Sequence, residues 1–298
     1  MRKMEFKEKL ARRTEEVQQI VENYLPPVEG YQSTVLEAMD YSVRAGGKRL
    51  RPLLMEETYR LFGGSGKVIK PFMAAIEMIH TSSLIHDDLP CMDNDTLRRG
   101  LPTAWVKYGY DMAVLAGDGL LIYSMETAAK ALAFTDRPDR VARCMGIMAE
   151  KTGIYGMIGG QAVDVELAGK KIPRKKLDFI YRLKTGALLE ASMMIGAVLG
   201  GASESEIKLV EKMAACVGLA FQIQDDILDV TSSNEVLGKP VKSDEKNHKT
   251  TYVTLEGLEK AKQDVEKISE EAVSCLHELP GENAFLEELI LMLVNREK

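Results

Sequence analysis

Apolar residues recur along much of the chain with the spacing of an α-helix. From Ile207 to Phe221 they advance by three and four positions, which places them on one helix face. Strong helix formers fill residues 112–133 and 139–150. No alternating run of β-branched residues around Asn-Gly or Asp-Gly predicts a β-hairpin. The pattern therefore predicts an all-α protein.

Prolines and glycines divide the chain into about ten predicted helices with short connections. None of the 10 prolines lies between Pro173 and Pro240, and breaks such as residues 63–66 are brief. No break has the length or polarity of an interdomain linker. We expect one helical domain over residues 1–298.

Composition excludes several classes of function. The chain has 298 residues, 45% hydrophobic and 28% charged, as is usual for a globular protein. A net charge of −6 argues against a nucleic-acid partner, which requires a concentrated basic face. Four widely separated cysteines form no zinc-ligand pair and are typical of a reducing cytoplasm. The N-terminus lacks the apolar core of a signal peptide, and the most apolar stretch, residues 186–201, is too short to span a bilayer. We expect a soluble, cytoplasmic protein without a membrane span.

Two clusters of aspartates interrupt the apolar pattern. Asp225, Asp226 and Asp229 have the spacing that brings side chains together on one helix face, where like charges repel. The other cluster consists of Asp87, Asp88 and Asp93. Pro90 must end or bulge the helix before it, so Asp87 and Asp88 should occupy its last turn and Asp93 should return from the bent segment.

Carboxylates in these positions are unfavourable without a cation. We expect them to be buried among apolar residues, and those at a helix C-terminus oppose the helix dipole. A single acidic pair is usually a solvated helix face, but two clusters that each end an apolar helix are not explained in this way. Magnesium binds through one or two carboxylates together with substrate phosphates. We therefore predict a magnesium–diphosphate site.

Basic residues lie near both clusters. Arg98 and Arg99 follow the first cluster, and a Gly-Gly turn at residues 46–47 precedes Lys48 and Arg51, an arrangement that lets donors approach an anion. Further candidates are Lys184, Thr185, Lys239 and Lys249. Each alone is typical of a surface turn, and His80 alone is typical of a core histidine. Their joint occurrence supports an anion site.

The order of these motifs resembles the bacterial farnesyl and geranylgeranyl diphosphate synthases. The resemblance extends from about Tyr24 to Arg296. The matching residues are Gly46–Pro52, His80, Ile85–Pro90, Asp93, Leu97–Gly100, Gly159–Gln161, Lys184-Thr185, Gln222, Asp225, Asp226, Asp229 and Gly238–Pro240.

The resemblance implies a fold, a cofactor and a set of roles. The fold would be an antiparallel helical bundle around a central apolar cavity, assembled as a homodimer. The six aspartates would hold magnesium, three ions once substrate diphosphate is bound, and five of them would join Lys184 as catalytic residues: Asp87, Asp88, Asp93, Asp225 and Asp226. The allylic diphosphate would be bound by Arg98, Lys184, Thr185, Gln222, Lys239 and Lys249. The diphosphate of isopentenyl diphosphate would be bound by Lys48, Arg51, His80 and Arg99.

The implied reaction joins isoprenoid diphosphates head to tail. The allylic C–O bond ionises, the double bond of isopentenyl diphosphate attacks the carbocation, and a proton leaves. The allylic substrate would be dimethylallyl, geranyl or farnesyl diphosphate. A terpene cyclase and a non-catalytic isoprenoid-binding regulatory subunit are the alternatives. The polar residues 232–247 are a candidate lid.

Product length should depend on the helix that precedes the first aspartates. Farnesyl-producing bacterial relatives carry an aromatic residue five positions before the first aspartate, where this chain has Ser82, followed by Ser83. Five residues rise about 7.5 Å along a helix, so a small residue there deepens the cavity. Two extra residues inside the motif, Cys91 and Met92, are associated with shorter products. A new floor would come from Met78, Ile79, Tyr123 or Met125. We expect a fifteen- or twenty-carbon product.

Overall fold

The structure, a computed structural model, describes residues 2–231 and 250–294. Within these ranges the chain forms fourteen α-helices and one two-stranded hairpin. The helices are α1 (Arg2–Asn23), α2 (Ser33–Arg44), α3 (Leu50–Leu61), α4 (Ile69–Asp87), α5 (Ala104–Tyr108), α6 (Tyr110–Ala129), α7 (Pro138–Thr152), α8 (Met157–Glu166), α9 (Arg174–Ile180), α10 (Ala187–Gly200), α11 (Glu204–Thr231), α12 (Tyr252–Glu256), α13 (Leu258–His277) and α14 (Ala284–Val294). A 3₁₀ helix (Lys130–Phe134) follows α6, and a π-helical segment (Tyr181–Gly186) joins α9 to α10. The single-domain, all-α prediction is confirmed.

The described residues contain more helices than the expected ten, and two glycines account for two of the additional divisions. Gly109 separates α5 from α6 at a φ of 95°, and Gly257 separates α12 from α13 at a φ of 85°. Glycine adopts such a φ readily, whereas a residue with a Cβ atom rarely does. The helix direction can therefore change at these glycines at little cost.

Two buried helices form the centre of the fold. Every residue of α10 from Ala187 to Leu199 is buried, and α4 is buried along most of its length. α10 packs most extensively on α3, and also on α11 and α7, while α4 packs on α6 and α3. A helix that is apolar on all sides requires this surrounding layer. The short α10–α11 connection makes these two helices antiparallel neighbours.

Among the described residues, one stretch meets the length and composition requirements of a membrane-spanning helix. The continuous helical run Arg174–Gly200 has 27 residues and a window of mean hydropathy 1.3, and 78% of that window is buried inside the protein. The run is longer than the sequence analysis expects because α9, the π-helical segment and α10 are continuous. Its burial is that of a core helix.

A small hairpin follows the first aspartate cluster. β1 (Leu97–Arg98) pairs antiparallel with β2 (Leu101–Pro102). Arg99 and Gly100 form the turn with φ angles of 54° and 79°, the geometry of a type I′ turn. The sequence analysis predicts no hairpin, because arginine is an unusual residue at this position. The hairpin carries Arg98 and Arg99 back toward α4.

Candidate active site

The first aspartate cluster lies where α4 ends. Asp87 is the last residue of α4, and Asp88 follows as its C-cap. The chain then turns through Pro90, and the backbone N–H of Asp93 donates to the carbonyl oxygen of Asp87 at 2.9 Å. The predictions that Pro90 ends the helix and that Asp93 returns to it are therefore confirmed.

Burial and mutual repulsion disfavour the ionised form of these carboxylates. Burial raises the pKa of Asp87, Lys184 lowers it, and Asp93 raises it again, for a net upward shift. Burial also raises the pKa of Asp88, and although Arg98 opposes this effect, the net shift is again upward. A divalent cation at this position would relieve both effects.

Arg98 holds Asp88 in a bidentate contact. Its Nε atom donates to the two carboxylate oxygens at 2.7 and 2.9 Å, and a second guanidinium nitrogen donates at 2.5 Å. Asp88 is only 3% exposed, so its carboxylate is largely removed from water, whereas the Arg98 side chain is 32% exposed. Charge-assisted contacts of this kind fix geometry as well as contributing energy. The pair sets the orientation of the hairpin relative to α4.

The second aspartate cluster lies near the C-terminal end of α11. Asp226 and Asp229 are 3% and 6% exposed, whereas Asp225 is half-buried. The Oδ2 atom of Asp226 accepts hydrogen bonds from the hydroxyl of Tyr181 at 2.5 Å and from the backbone N–H of Tyr252 at 2.8 Å. Asp226 therefore points into the protein and contacts the π-helical segment.

The π-helical segment and α8 lie between the two clusters. On the side of the first cluster, Gln161 of α8 donates to Asp87 at 2.6 Å. Lys184 of the π-helical segment pairs with Asp164 of α8 at 2.7 Å. On the side of the second cluster, the hydroxyl of Thr185 donates to Gln222 of α11 at 2.9 Å. Consecutive side chains of one segment thus contact the helices next to each aspartate cluster.

Glycines allow these backbones to approach closely. A Cβ atom on Gly160 would lie 2.3 Å from the backbone nitrogen of Lys184, and one on Gly218 would lie 2.8 Å from the Cα atom of Gly186. Both distances are shorter than any real Cβ contact, so larger residues would displace the π-helical segment from α8 or α11. The Gly-Gly-Gln motif of the sequence is explained by this packing.

The charge of Lys184 is stabilised by this environment. Burial lowers the pKa of Lys184, but Asp164 and Asp87 raise it by more, so the net shift is upward. The ammonium group therefore remains protonated although the side chain is largely enclosed. It provides a fixed positive charge beside Asp87.

A cationic group lies where α3 begins beside α4. Burial lowers the pKa of His80 well below its usual value, and Arg51 and Arg99 lower it further. Burial also lowers the pKa of Arg51; Glu77 opposes this effect and Arg99 adds to it. His80 is therefore neutral at neutral pH and lies beside two arginines. The predicted residues Arg51, His80 and Arg99 are brought together.

The loop before α3 fits closely around Arg99. Arg99 donates to the carbonyl oxygen of Gly46, and a Cβ atom on Gly47 would lie 2.7 Å from its guanidinium group. Gly47 also has a φ of 138°, which favours glycine. Lys48 follows as an exposed residue. The Gly-Gly pair therefore gives Arg99 its place beside Arg51 and His80.

Arg51 has a buried donor without a partner among the described residues. Its Nε atom is inaccessible to water and makes no hydrogen bond within residues 2–231 and 250–294. A buried unsatisfied donor costs about 1–3 kcal/mol. A ligand with acceptor oxygens would satisfy it.

The remaining predicted residues have varied placements. Ser82 is 3% exposed and donates to the carbonyl oxygen of Ile79 at 2.8 Å, while Ser83 is half-buried and donates to that of His80. Lys239, Lys249 and the candidate lid at residues 232–247 lie outside the described residues.

Sequence reasoning missed three residues that contact the predicted site: Gln161, Asp164 and Tyr181. Gln161 was noted only as part of a motif. Nothing in the local pattern indicates that Asp164 or Tyr181 faces the site, because both depend on the π-helical turn, which has no reliable sequence signal.

The residues present fit magnesium bound together with a diphosphate. Across the described ranges, no three His, Cys, Asp or Glu side chains lie close enough to form a metal site by themselves. Magnesium does not require such a cage, because one or two carboxylates suffice when phosphate oxygens complete the coordination. Asp87 and Asp93, joined through their backbones, offer such a partial set of oxygen ligands.

Comparison with known families agrees with this geometry. A family model described as polyprenyl synthetase matches residues 32–283. The chain belongs to the polyprenyl synthetase family. The predicted resemblance to this family is therefore confirmed, and the match covers most of the chain.

Several curated relatives are identical to this chain at almost half of the aligned positions. The heterodimeric geranylgeranyl pyrophosphate synthase large subunit 1 of Arabidopsis thaliana is 48% identical over 240 residues, covering 79% of this chain and 65% of the relative. The chain thus spans just under two thirds of that protein. The geranylgeranyl pyrophosphate synthase of Catharanthus roseus is 47% identical over 249 residues, covering 83% and 70%. The farnesyl diphosphate synthase of Geobacillus stearothermophilus is 45% identical over 247 residues, covering 83% of each chain.

Solved structures show the same fold as this family member. An FPP/GFPP synthase from Zymomonas mobilis superposes with a TM-score of 0.86 at 32% identity, covering 98% of this chain and 99% of that one. A geranyltransferase from Helicobacter pylori, complexed with magnesium and isoprenyl diphosphate, gives a TM-score of 0.83 at 33% identity, covering 97% and 96%.

The raised pKa of Asp87 predicts how the fold responds to its replacement. The folded state binds a proton at Asp87 more tightly than the unfolded state, so the wild type gains stability from this group as the pH falls from neutral through the raised pKa. Asp87→Asn should unfold at the same or a higher temperature than the wild type at pH 7. It should lack that gain on acidification, and it should lose most of the stabilisation by magnesium with inorganic pyrophosphate. Thermal unfolding across a pH series measures all three.

Asp139→Asn is the matched control. Arg137 holds the pKa of the exposed Asp139 below its usual value, so this variant should show a small change of the opposite sign at pH 7 and keep the pyrophosphate response. A clear loss of stability in ligand-free Asp87→Asn at pH 7 would contradict the charge argument.

Proposed function

We propose that the protein is a magnesium-dependent prenyltransferase that condenses isopentenyl diphosphate with allylic diphosphates to give farnesyl or geranylgeranyl diphosphate. One observation carries the proposal: the buried Nε atom of Arg51 on α3, unpartnered among the described residues, lies beside His80 of α4 and Arg99 of the hairpin, and α4 ends at Asp87 and Asp88. Positive charge beside the middle of α4 and negative charge at its end are balanced by an anion together with a cation.

The cationic group would bind the diphosphate of isopentenyl diphosphate. Arg51 and Arg99 provide fixed charges and forked donors, and His80 provides a ring N–H. Lys48 is exposed at the loop that leads into α3, where it can reach an entering anion. Bound diphosphate would satisfy Arg51 and relieve the repulsion between the cations.

The aspartates and the π-helical segment would bind the allylic diphosphate. Arg98, Lys184, Thr185 and Gln222 supply donors on this side, joined by Lys239 and Lys249 from outside the described residues. The predicted magnesium ligands are Asp87, Asp88, Asp93, Asp225, Asp226 and Asp229. Magnesium, when bound, would neutralise the developing charge of the leaving diphosphate. The number of bound ions, three, stays a prediction. The Helicobacter pylori structure, which is complexed with magnesium and isoprenyl diphosphate, supports this cofactor.

The arrangement suits ionisation of the allylic C–O bond. Lys184 and Arg98 hold positive charge where the diphosphate leaves, and their ion pairs with Asp164 and Asp88 fix that charge in place before substrate binds. Preorganised charge of this kind is usually the largest contribution to catalysis. The cation formed is attacked by the double bond of isopentenyl diphosphate, and a proton then leaves to the departing diphosphate.

Two alternatives predict different behaviour. A terpene cyclase ionises a diphosphate without a second diphosphate substrate, so the group of Arg51, His80 and Arg99 would have no role. A non-catalytic regulatory subunit would not need both aspartate clusters. Here both are present, and the names of the curated relatives are those of synthases.

The reaction test is magnesium-dependent release of diphosphate from mixed substrates. We expect release and a longer prenyl product when isopentenyl diphosphate is mixed with dimethylallyl, geranyl or farnesyl diphosphate, and none with chelator. Asp225→Ala should lower turnover by about 100-fold or more, because ionisation loses charge stabilisation. Asp139→Ala, a change to an exposed carboxylate on α7, should retain turnover.

Each contrary outcome identifies an alternative. Product from the allylic substrate alone indicates a cyclase. No release with any allylic partner indicates a non-catalytic subunit. Retained turnover in Asp225→Ala contradicts the site assignment.

Ser82 favours the longer of the two products. Its side chain is small, buried and bonded back to its own helix, so it would obstruct a growing chain less than an aromatic side chain would. The relatives include enzymes named for both products. We therefore include geranylgeranyl diphosphate among the products.

Ser82→Tyr should shorten the product. A tyrosine ring added one and a half turns before Asp87 would block chain growth, so chromatography of the products should show a shift toward shorter chains at similar total diphosphate release. Ser82→Ala is the control and should leave the distribution unchanged. An unchanged distribution in Ser82→Tyr places the cavity floor elsewhere.

A homodimer through α6 is the proposed assembly. Tyr110, Leu115 and Ile122 are 47%, 49% and 70% exposed on this helix, which also carries the exposed carboxylates of Asp118 and Glu126. Large exposed apolar side chains are typical of an interface. A second copy is the proposed occupant because self-complementary patches associate through a twofold axis.

Ile122→Glu should weaken this assembly. A charge at the most exposed apolar position of α6 would be buried in the dimer without a partner, so sedimentation should show a shift from dimer to monomer. Met4→Glu, a change to an exposed residue on α1, should not alter the mass. A monomeric wild type would refute the assembly, and an unchanged dimer in Ile122→Glu would exclude α6 as the interface.

Cytoplasmic location stays a prediction, since several relatives are named as chloroplastic.

A further inference from the structure

Among the described residues, Asp226 accepts hydrogen bonds from Tyr181 and Tyr252, which no sequence motif predicts. Its Oδ2 atom accepts from the hydroxyl of Tyr181 at 2.5 Å and from the backbone N–H of Tyr252 at 2.8 Å. Both tyrosines are buried, with exposures of 7% and 2%, and Asp226 itself is 3% exposed. The contacts are therefore shielded from water, which makes them stronger and their loss more costly.

The two donors come from different parts of the chain. Tyr181 is the first residue of the π-helical segment that also carries Lys184 and Thr185. Tyr252 is the first residue of α12, whose N-cap, Thr251, forms a reciprocal capping box with Thr254. Asp226 thus joins three elements: α11, the π-helical segment and α12.

The donor of α12 is itself anchored. The hydroxyl of Tyr252 donates to Asp264 of α13 at 2.7 Å, and the guanidinium group of Arg174 lies 4.1 Å from the centre of the Tyr252 ring. These contacts fix the start of α12 and, with it, the amide that meets Asp226.

We infer that the Tyr181 hydroxyl, together with the Tyr252 amide, is a positioning group for Asp226 in the metal–diphosphate site. Two donors on one carboxylate oxygen fix the rotation of the carboxylate plane before any cation binds. Groups that orient a metal ligand in this way typically change metal affinity by 10- to 100-fold when removed. The inference rests on the proposed function, because it assumes that Asp226 faces the metal.

Tyr181 also connects this ligand to the diphosphate-binding side chains. The same six-residue segment contacts Asp226 through Tyr181, Asp164 through Lys184, and Gln222 through Thr185. A shift of the segment would therefore move the carboxylate and the cation together. Tyr181 fixes their relative position.

Tyr181→Phe tests the inference, with Tyr59→Phe as the matched control. Tyr59 is also a buried tyrosine, with an exposure of 6%, and its hydroxyl accepts from the backbone of Gly66, away from the predicted site. Calorimetric titration of inorganic pyrophosphate in the presence of magnesium measures binding without turnover. We expect Tyr181→Phe to weaken this binding about 10- to 100-fold and Tyr59→Phe to change it by less than about twofold.

A second measurement separates positioning from a general loss of structure. The half-saturating magnesium concentration for turnover should rise in Tyr181→Phe, while turnover at saturating magnesium should remain close to wild type. An equal loss at all magnesium concentrations, or an equal effect in Tyr59→Phe, would overturn the inference.

The failure of the inference differs from failure of the proposed function. If the wild type binds magnesium with pyrophosphate and Tyr181→Phe binds equally well, only the positioning role is wrong. If the wild type shows no magnesium-dependent pyrophosphate binding, the proposed function is wrong and the positioning role falls with it.

Discussion

Compensation of buried charge is the constraint on which this structure depends. The core contains carboxylates such as Asp88 and Asp226 and cations such as Arg51 at positions where water cannot solvate them fully. An uncompensated buried charge is costly, so each must have an opposite charge, a hydrogen-bond donor or a ligand. Asp88 is paired with Arg98, and Asp226 accepts hydrogen bonds from Tyr181 and Tyr252. Arg51 and the ionised Asp87 have incomplete compensation, which a metal-bound diphosphate would supply.

This constraint explains why the most irregular part of a core helix lies at the site. A regular helix from Arg174 to Gly200 would bury its apolar faces as well, but the π-helical segment turns Lys184 and Thr185 toward α8 and α11. Gly160 and Gly218 remove the side chains that would prevent this approach. Irregular helical geometry is costly, and its position beside both aspartate clusters is typical of a functional site.

The acidic net charge of the protein is compatible with an anionic substrate because the positive charge is local. Arg51 and Arg99 lie beside His80, which stays neutral, so the positive potential of the group comes from the two arginines. The carboxylates Asp87 and Asp88 lie at the end of α4, the helix that carries His80. Placement, not total charge, therefore determines what this surface attracts.

The sequence by itself determined the helical fold and the C-terminal end of α4, and it supplied the prediction of the charged site residues. These features are local: helical periodicity, the missing N–H of Pro90 and the spacing of aspartates act within a few residues. Only the tertiary structure decided that Gln161, Asp164 and Tyr181 contact the site, that Arg98 holds Asp88, and that a membrane-length apolar helix is a core helix. Each of these depends on contacts between residues distant in the chain, and local propensity carries no information about such contacts.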